Sequence, residues 1–214
     1  MSATCRRRLM SAARIFVTGT DTGVGKTFVT AALVRELRRA GVHAGAMKPF
    51  ATGNRDDARV LCAAMDGELS LVEINPVFFR RPLAPMVAAR LEGKRVPLRV
   101  RLPTKIFELL LVEGIGGWLV PLTERVTVAD WAARQGWPIV IVARAGLGTI
   151  NHTLLTVESA RRRGVKIAAV ILNDVDKADA TAARRNATVL QRLTRLPVFV
   201  SVKALANALR RKAR

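Results

Sequence analysis

Tyrosine is absent from this sequence of 214 residues, and aromatic side chains make up only 5% of it. Nothing in it reads as a platform of rings on which bases could stack, and Trp118, Trp131 and Trp137 are expected in the core or at an interface. Cysteine occurs twice, at Cys5 and Cys62, without metal-ligand spacing and without the density of a disulfide framework. That usage fits a reducing cytoplasm. Histidine also occurs twice, at His43 and His152, in no pattern that suggests nucleophilic catalysis or metal ligation. No apolar run approaches the roughly 18 residues that span a bilayer, so no membrane segment is expected. Acids are scarce: 16 Asp and Glu stand against 36 Lys and Arg, for a net charge of +20.

Such an excess can mark a nucleic-acid face, but the arginines are dispersed in pairs and triplets such as Arg38-Arg39, Arg161–Arg163 and Arg184-Arg185. Several fall at expected helix ends, where a cation suits the helix dipole. They read as solvated surface charge, and no nucleic-acid partner is expected. Met1 to Arg14 has no apolar stretch of the secretory kind. Residues 1–13 read as a disordered or extended segment before one domain over 14–214.

Half of the residues are apolar, and strand-length apolar runs alternate with helix-period segments. That is the signature of a parallel sheet covered by helices on both faces. Strands are predicted near 14–18, 43–47, 107–112, 138–142, 166–172 and 197–200. Helices are predicted over about 25–40, 56–65, 84–91, 150–163, 178–195 and 203–211. Residues 67–85 are expected to be irregular, and 92–105 fit no element. The fold expected is a single α/β domain with a mostly parallel central sheet of about six or seven strands flanked by helices.

The strongest local signal is Gly19-Thr20-Asp21-Thr22-Gly23-Val24-Gly25-Lys26-Thr27, between the first strand and the first helix. Glycines there let backbone N–H groups converge on phosphate oxygens, and the helix start adds partial positive charge. This is the P-loop of nucleotide-binding proteins, with Lys26 placed for the β/γ-phosphates and the Thr27 hydroxyl for Mg²⁺. In open parallel sheets ligands sit beyond the carboxyl ends of the strands. Lys48 falls there, followed by Thr52. Glu113 falls there, followed by Gly114 and Gly116, and so does the pair Asn173-Asp174. A second lysine, with Asp57 and Glu113 as carboxylates for Mg²⁺, suits phosphoryl transfer from ATP to an anionic acceptor.

These motifs resemble the dethiobiotin synthase family. The matching stretches are Phe16–Thr27, Lys48-Pro49 with Thr52-Gly53, Val112–Trp118, Pro121-Leu122, Ala129–Trp131, Gly146–Thr153 and Asn173-Asp174, in family order. The resemblance implies a P-loop NTPase fold and an ATP- and Mg²⁺-dependent cyclo-ligase of biotin synthesis. Its substrates would be 7,8-diaminononanoate and CO₂ or bicarbonate, and a carbamate and a carbamic-phosphoric anhydride would lead to dethiobiotin. It implies that Lys48 and Lys26 are catalytic, and that Thr27, Asp57 and Glu113 hold the metal. Thr22, Gly23, Val24, Gly25, Lys26, Thr27, Phe28, Gly114, Gly116, Asn173 and Asp174 would surround the nucleotide. Thr52, Gly148, Thr149 and Asn151 would meet the substrate, the last three across a homodimer interface.

The chain departs from the family in three places. Residues 92–105 are short, so the helix before the Glu113 strand is expected to be truncated. A family turn that ends in proline reads Val200-Ser-Val-Lys203, and a tyrosine found in some relatives is missing near Asn186. Two alternatives stay open at this point. One is an ATPase switch of the ParA/MinD kind, acting on DNA or membrane. Asp21 and Thr22 stand where that class has a signature lysine. The other is a degenerate, non-catalytic homologue.

Overall fold

All six predicted strands enter one sheet. The computed structural model describes residues 13–174 and 180–213. In chain order its first elements are β1 (Ala13–Gly19), α1 (Lys26–Arg39), β2 (Ala44–Met47), β3 (Phe50–Thr52), α2 (Asp56–Ala64) and α3 (Leu71–Ile74). Then come β4 (Val77–Phe79), α4 (Pro85–Leu91), β5 (Leu109–Glu113), β6 (Pro121–Thr123), β7 (Val126–Thr127) and α5 (Val128–Gln135). The chain closes with β8 (Ile139–Arg144), α6 (Thr149–Arg162), β9 (Ile167–Asn173), α7 (Ala180–Thr194), β10 (Val198–Phe199) and α8 (Val202–Ala213).

The central sheet runs β10-β9-β8-β1-β5-β2, and every pairing in it is parallel. Its inner strands are apolar throughout, as a sheet covered on both faces requires: Leu109–Val112 and Ile139–Ala143 are all buried. β1 lies between β5 and β8, in register Val17 to Glu113 and Gly19 to Val142. The phosphate loop therefore leaves the sheet beside Glu113. On the far side, Arg144 of β8 pairs with Asn173 of β9 at the same end. The residues expected at strand ends thus share one edge of the molecule.

The helices follow their amphipathic periods. α1 buries Val29, Leu33, Val34 and Leu37, and Arg38 and Arg39 close its last turn where the dipole favours cations. Arg161 and Arg162 do the same for α6. Trp118 and Trp131 are buried, as expected, and Trp137 packs edge-on against Trp131. No described helix is long and apolar enough to cross a membrane.

Three stretches differ from the prediction. Residues 67–85, expected to be irregular, hold α3, closed by a reciprocal Ser70–Glu73 capping box, and β4, which pairs in parallel with β3. α5 and the β6–β7 hairpin were not predicted. Thr127 and Asp130 form a second capping box that starts α5. Phe107, placed in a strand by its apolar neighbours, lies before β5 and packs its ring onto Gly45, where an added Cβ would stand 2.7 Å from it. Residues 92–108 contain neither helix nor strand, as the shortened segment implied. They are pinned by Val96 in the core and by the Trp131 indole, which donates to the Leu98 carbonyl at 2.9 Å. The expected N-terminal extension lies outside the described residues except for Ala13, as do residues 178–179 of the helix expected over 178–195.

Candidate active site

The loop after β1 has the backbone of a phosphate cradle. Gly23 and Gly25 lie at φ 72° and 85°, a region that favours glycine. The Thr20 N–H donates to Val142 O at 2.9 Å and ties the loop to β8. Gly19 has to be glycine for a different reason: a Cβ there would stand 2.8 Å from Val24 Cγ2 and 3.0 Å from Lys26 Nζ. Lys26 opens α1, is buried, and donates to Asp21 O at 2.9 Å. Burial, followed by the charge of Lys48, lowers its pKa to about 8. An incoming phosphate would raise it again.

Beside the loop lies an ionic knot, buried at Lys48 and Glu113 and half exposed at Asp57. Lys48, 4% exposed, donates to Glu113 Oε1 at 2.7 Å and lies 2.6 Å from Asp57 Oδ2. The Thr27 hydroxyl donates to the same Glu113 Oε1 at 2.7 Å. Burial opposes the charge on Lys48, but Glu113 and Asp57 outweigh it and hold its pKa above the ordinary amine value. Burial also opposes the charge on Asp57, and Lys48, with help from the Thr27 hydroxyl, holds that carboxyl below its ordinary range. Glu113 is 0% exposed, and its second oxygen, Oε2, has no hydrogen-bond partner among the described residues. An orphan carboxylate oxygen in a buried site is costly unless something else meets it.

Two carboxylates, one of them with that orphan oxygen, and a hydroxyl form a hard-oxygen set that fits Mg²⁺, which completes its shell with phosphates and water. A cavity of about 330 Å³ opens between this set and the loop, bounded by Lys26, Thr27, Lys48, Thr52, Asp57 and Gly116. Thr22, Gly23 and Gly25 also line it. Gly116 takes φ 59°, and Gly114 leaves room for Phe16, whose ring would lie 2.8 Å from an added Cβ.

Other predicted residues stand elsewhere. Phe28 is 63% exposed on α1, and Val24 is buried under the loop. Asn173 donates from Nδ2 to Val24 O at 3.1 Å and so braces the loop from β9, while Asp174 beside it is exposed. Gly148, Thr149 and Asn151 do not border the cavity. Gly148 caps α6 in the left-handed region, Asn151 is exposed, and Thr149 is buried with its hydroxyl unpartnered among the described residues. Within one chain these three are therefore separate from Lys48.

Sequence reasoning missed two positions. Asn75 is fully buried and donates to Lys48 O at 2.9 Å and Val77 O at 3.1 Å, which fixes the backbone that carries Lys48. Its signal was a polar residue before Pro76 in a stretch read as loop. Arg144 reaches the loop from β8, with Nη2 3.5 Å from where a Gly23 Cβ would stand. Only the strand register could have pointed to it.

This fold and site define an ATP-type P-loop protein of the α/β class. A family model described as "AAA domain" matches residues 13–208. The chain is 49% identical over 189 residues to the ATP-dependent dethiobiotin synthetase of Anaeromyxobacter sp. strain Fw109-5, covering 84% of this chain and 85% of that one. It is 37% identical over 203 residues to the enzyme of the same name from Bacillus licheniformis, covering 90% and 86%. The chain belongs to the ATP-dependent dethiobiotin synthetase family. Solved structures share the fold at low identity. A nucleotide-binding protein from Archaeoglobus fulgidus, solved with ADP, has a TM-score of 0.51 at 14% identity, covering 95% of this chain and 88% of that one. A DUF1611 family protein from Anabaena variabilis has a TM-score of 0.56 at 16% identity, covering 95% and 58%.

Proposed function

We propose that this chain is a dethiobiotin synthase. It would use ATP, Mg²⁺ and CO₂ to close the ureido ring of 7,8-diaminononanoate, releasing ADP and phosphate. The observation that carries this reading is the Lys48–Glu113–Asp57–Thr27 knot facing Lys26 across one cavity. A second lysine deep in a phosphate site serves an acceptor that is itself anionic, which is what a carbamate is.

One substrate amine would take up CO₂ and lose a proton to become the carbamate. A carbamate oxygen would attack the γ-phosphorus of ATP, ADP would leave, and a carbamic-phosphoric anhydride would remain. The second amine would then add to its carbonyl carbon and expel phosphate. Lys26 would hold the phosphates, and Lys48 would neutralise the carbamate and the charge that grows on the transferring group. Thr27, Asp57 and Glu113 would hold Mg²⁺, which neutralises and orients phosphate oxygens when bound. Thr52 at the end of β3 borders the cavity where the substrate amines would lie. Asn173 and Asp174 would stand on the base side of the loop, where Asn173 already braces Val24.

The substrate carboxylate would be held by the α6 start, Gly148, Thr149 and Asn151, of a partner copy in a homodimer. Exposed Leu119, Leu147 and Leu155 support an interface on that side. Leu147→Glu should shift the chain toward monomer in analytical ultracentrifugation; an unchanged mass would remove this face from the dimer. The enzymatic reading is tested by phosphate release from ATP, Mg²⁺ and bicarbonate with and without the diamine. It requires the diamine. Release driven instead by DNA or lipid vesicles would establish the switch class, and no release under any condition would establish the non-catalytic one.

A further inference from the structure

We infer that the Lys48 ammonium and a divalent cation exclude one another between Glu113 and Asp57, so that metal loading swings Lys48 out into the cavity. The inference rests on the assignment of Thr27, Asp57 and Glu113 as the metal's protein ligands. Lys48 Nζ touches both carboxylates, Glu113 Oε1 at 2.7 Å and Asp57 Oδ2 at 2.6 Å. Oε1 is also the atom that accepts the Thr27 hydroxyl. One oxygen of each carboxylate is thus held by this ammonium, and Glu113 Oε2 is left for a metal that does not displace it.

A dication there would draw the same oxygens to about 2.0–2.1 Å. The ammonium would be left a few ångströms from a double positive charge, and like charges at that range repel. The backbone of Lys48 has no freedom to relieve this. Its N–H donates to Ile74 O at 2.8 Å, and its carbonyl accepts from Asn75 Nδ2 at 2.9 Å. The four-carbon side chain does have freedom, and the cavity beside it reaches Ala51, Thr52 and Asn54. That is the region to which the proposed reaction assigns the carbamate. Before metal arrives, Lys48 keeps buried Glu113 and half-exposed Asp57 compatible. Afterwards the same charge is delivered to the acceptor.

The test uses Mn²⁺ alone, followed by electron paramagnetic resonance of the free ion and by the Tm of the full chain in EDTA and in Mn²⁺. Wild type, Lys48→Met, Lys48→Arg and Lys48→Met with Glu113→Gln are compared. Lys48→Met removes the competing cation and should bind Mn²⁺ at least about tenfold more tightly than wild type. Its Tm should fall in EDTA and recover in Mn²⁺. Lys48→Arg keeps a cation between the acids and should stay as weak as wild type. The double variant should lose the gain. Equal Mn²⁺ affinity in wild type and Lys48→Met would overturn the inference. So would tight binding that survives in the double variant, or a Lys48→Met chain that Mn²⁺ fails to restabilise. The probe contains neither nucleotide nor diamine, so a chain that makes no ureido product leaves this result readable. A positive metal result likewise says nothing in favour of the ligase reaction.

Discussion

Two glutamates of this chain each gather several hydrogen-bond donors, and they differ in depth. Glu113 is fully buried and holds Lys48 and Thr27 on one oxygen while the other has no partner among the described residues. Glu68 is about a quarter exposed and meets Arg38 Nη1 at 2.7 Å, His43 Nε2 at 3.1 Å and Lys105 Nζ at 2.6 Å. Both carboxylate oxygens of Glu68 are paired, although Arg38 Nη2 is buried without a partner among the described residues. The cluster ties residues 92–108, through Lys105, to the turn between α1 and β2. The Glu113 cluster is poorly paired and lies where phosphate chemistry belongs. The bare carboxylate oxygen of Glu113 lies beside the phosphate loop, and that combination, absent at Glu68, marks the functional cluster.

Substitutions can break this comparison, the largest effects coming from the buried side. Glu113→Ala removes one member of a buried pair and should cost about 3–5 kcal/mol in urea unfolding. A loss no larger than that of a surface pair would show that the knot is more hydrated than its geometry implies. Lys48→Ala should lower ring closure by about 100–1,000-fold while ATP affinity changes little. Steady-state phosphate release and isothermal titration separate the two quantities. Equal losses in both would make Lys48 a nucleotide residue only.

On the exposed side, Glu68→Gln should cost only about 1 kcal/mol, because solvent screens its partners. Lys105, followed by His43 and Arg38, holds the Glu68 pKa to about 2, below the ordinary carboxyl value of 4.5. A depressed carboxyl contributes stability above its unfolded pKa and loses it as pH falls through the folded one. The difference between Glu68→Gln and wild type should therefore be full above pH 4.5 and vanish near pH 2. A difference that persists at pH 2 would assign it to packing. Lys105→Ala should be the mildest, at most about 0.5 kcal/mol. Its clearest sign would be faster amide exchange in residues 92–108, with none near Lys48.

The same contrast explains what could be read in advance. The phosphate loop is local: nine consecutive residues between a strand and a helix, each with a steric or chemical reason. The six central strands were equally legible, because a sheet buried on both faces leaves continuous apolar runs. The partners of Glu113 were named as residues, but their contact could not be read, since Lys48 and Thr27 are 65 and 86 positions away. The β3–β4 pair was hidden because three-residue strands carry almost no periodicity. α5 was hidden for another reason. Its Thr127–Asp130 capping box is a local signal, but it is embedded in a stretch that was read as a family motif rather than as a helix start. Arg144 and Asn75 act through register and backbone contacts, which composition does not encode.

The most direct test supplies ¹³C-bicarbonate, ATP, Mg²⁺ and 7,8-diaminononanoate to the purified chain and follows the product by mass spectrometry. The account predicts dethiobiotin carrying the label in its ureido carbonyl, one phosphate released per labelled ring, and about 100–1,000-fold less of both from Lys48→Ala at the same enzyme concentration and time. Phosphate released without labelled product, or labelled product formed equally well without Lys48, would contradict it.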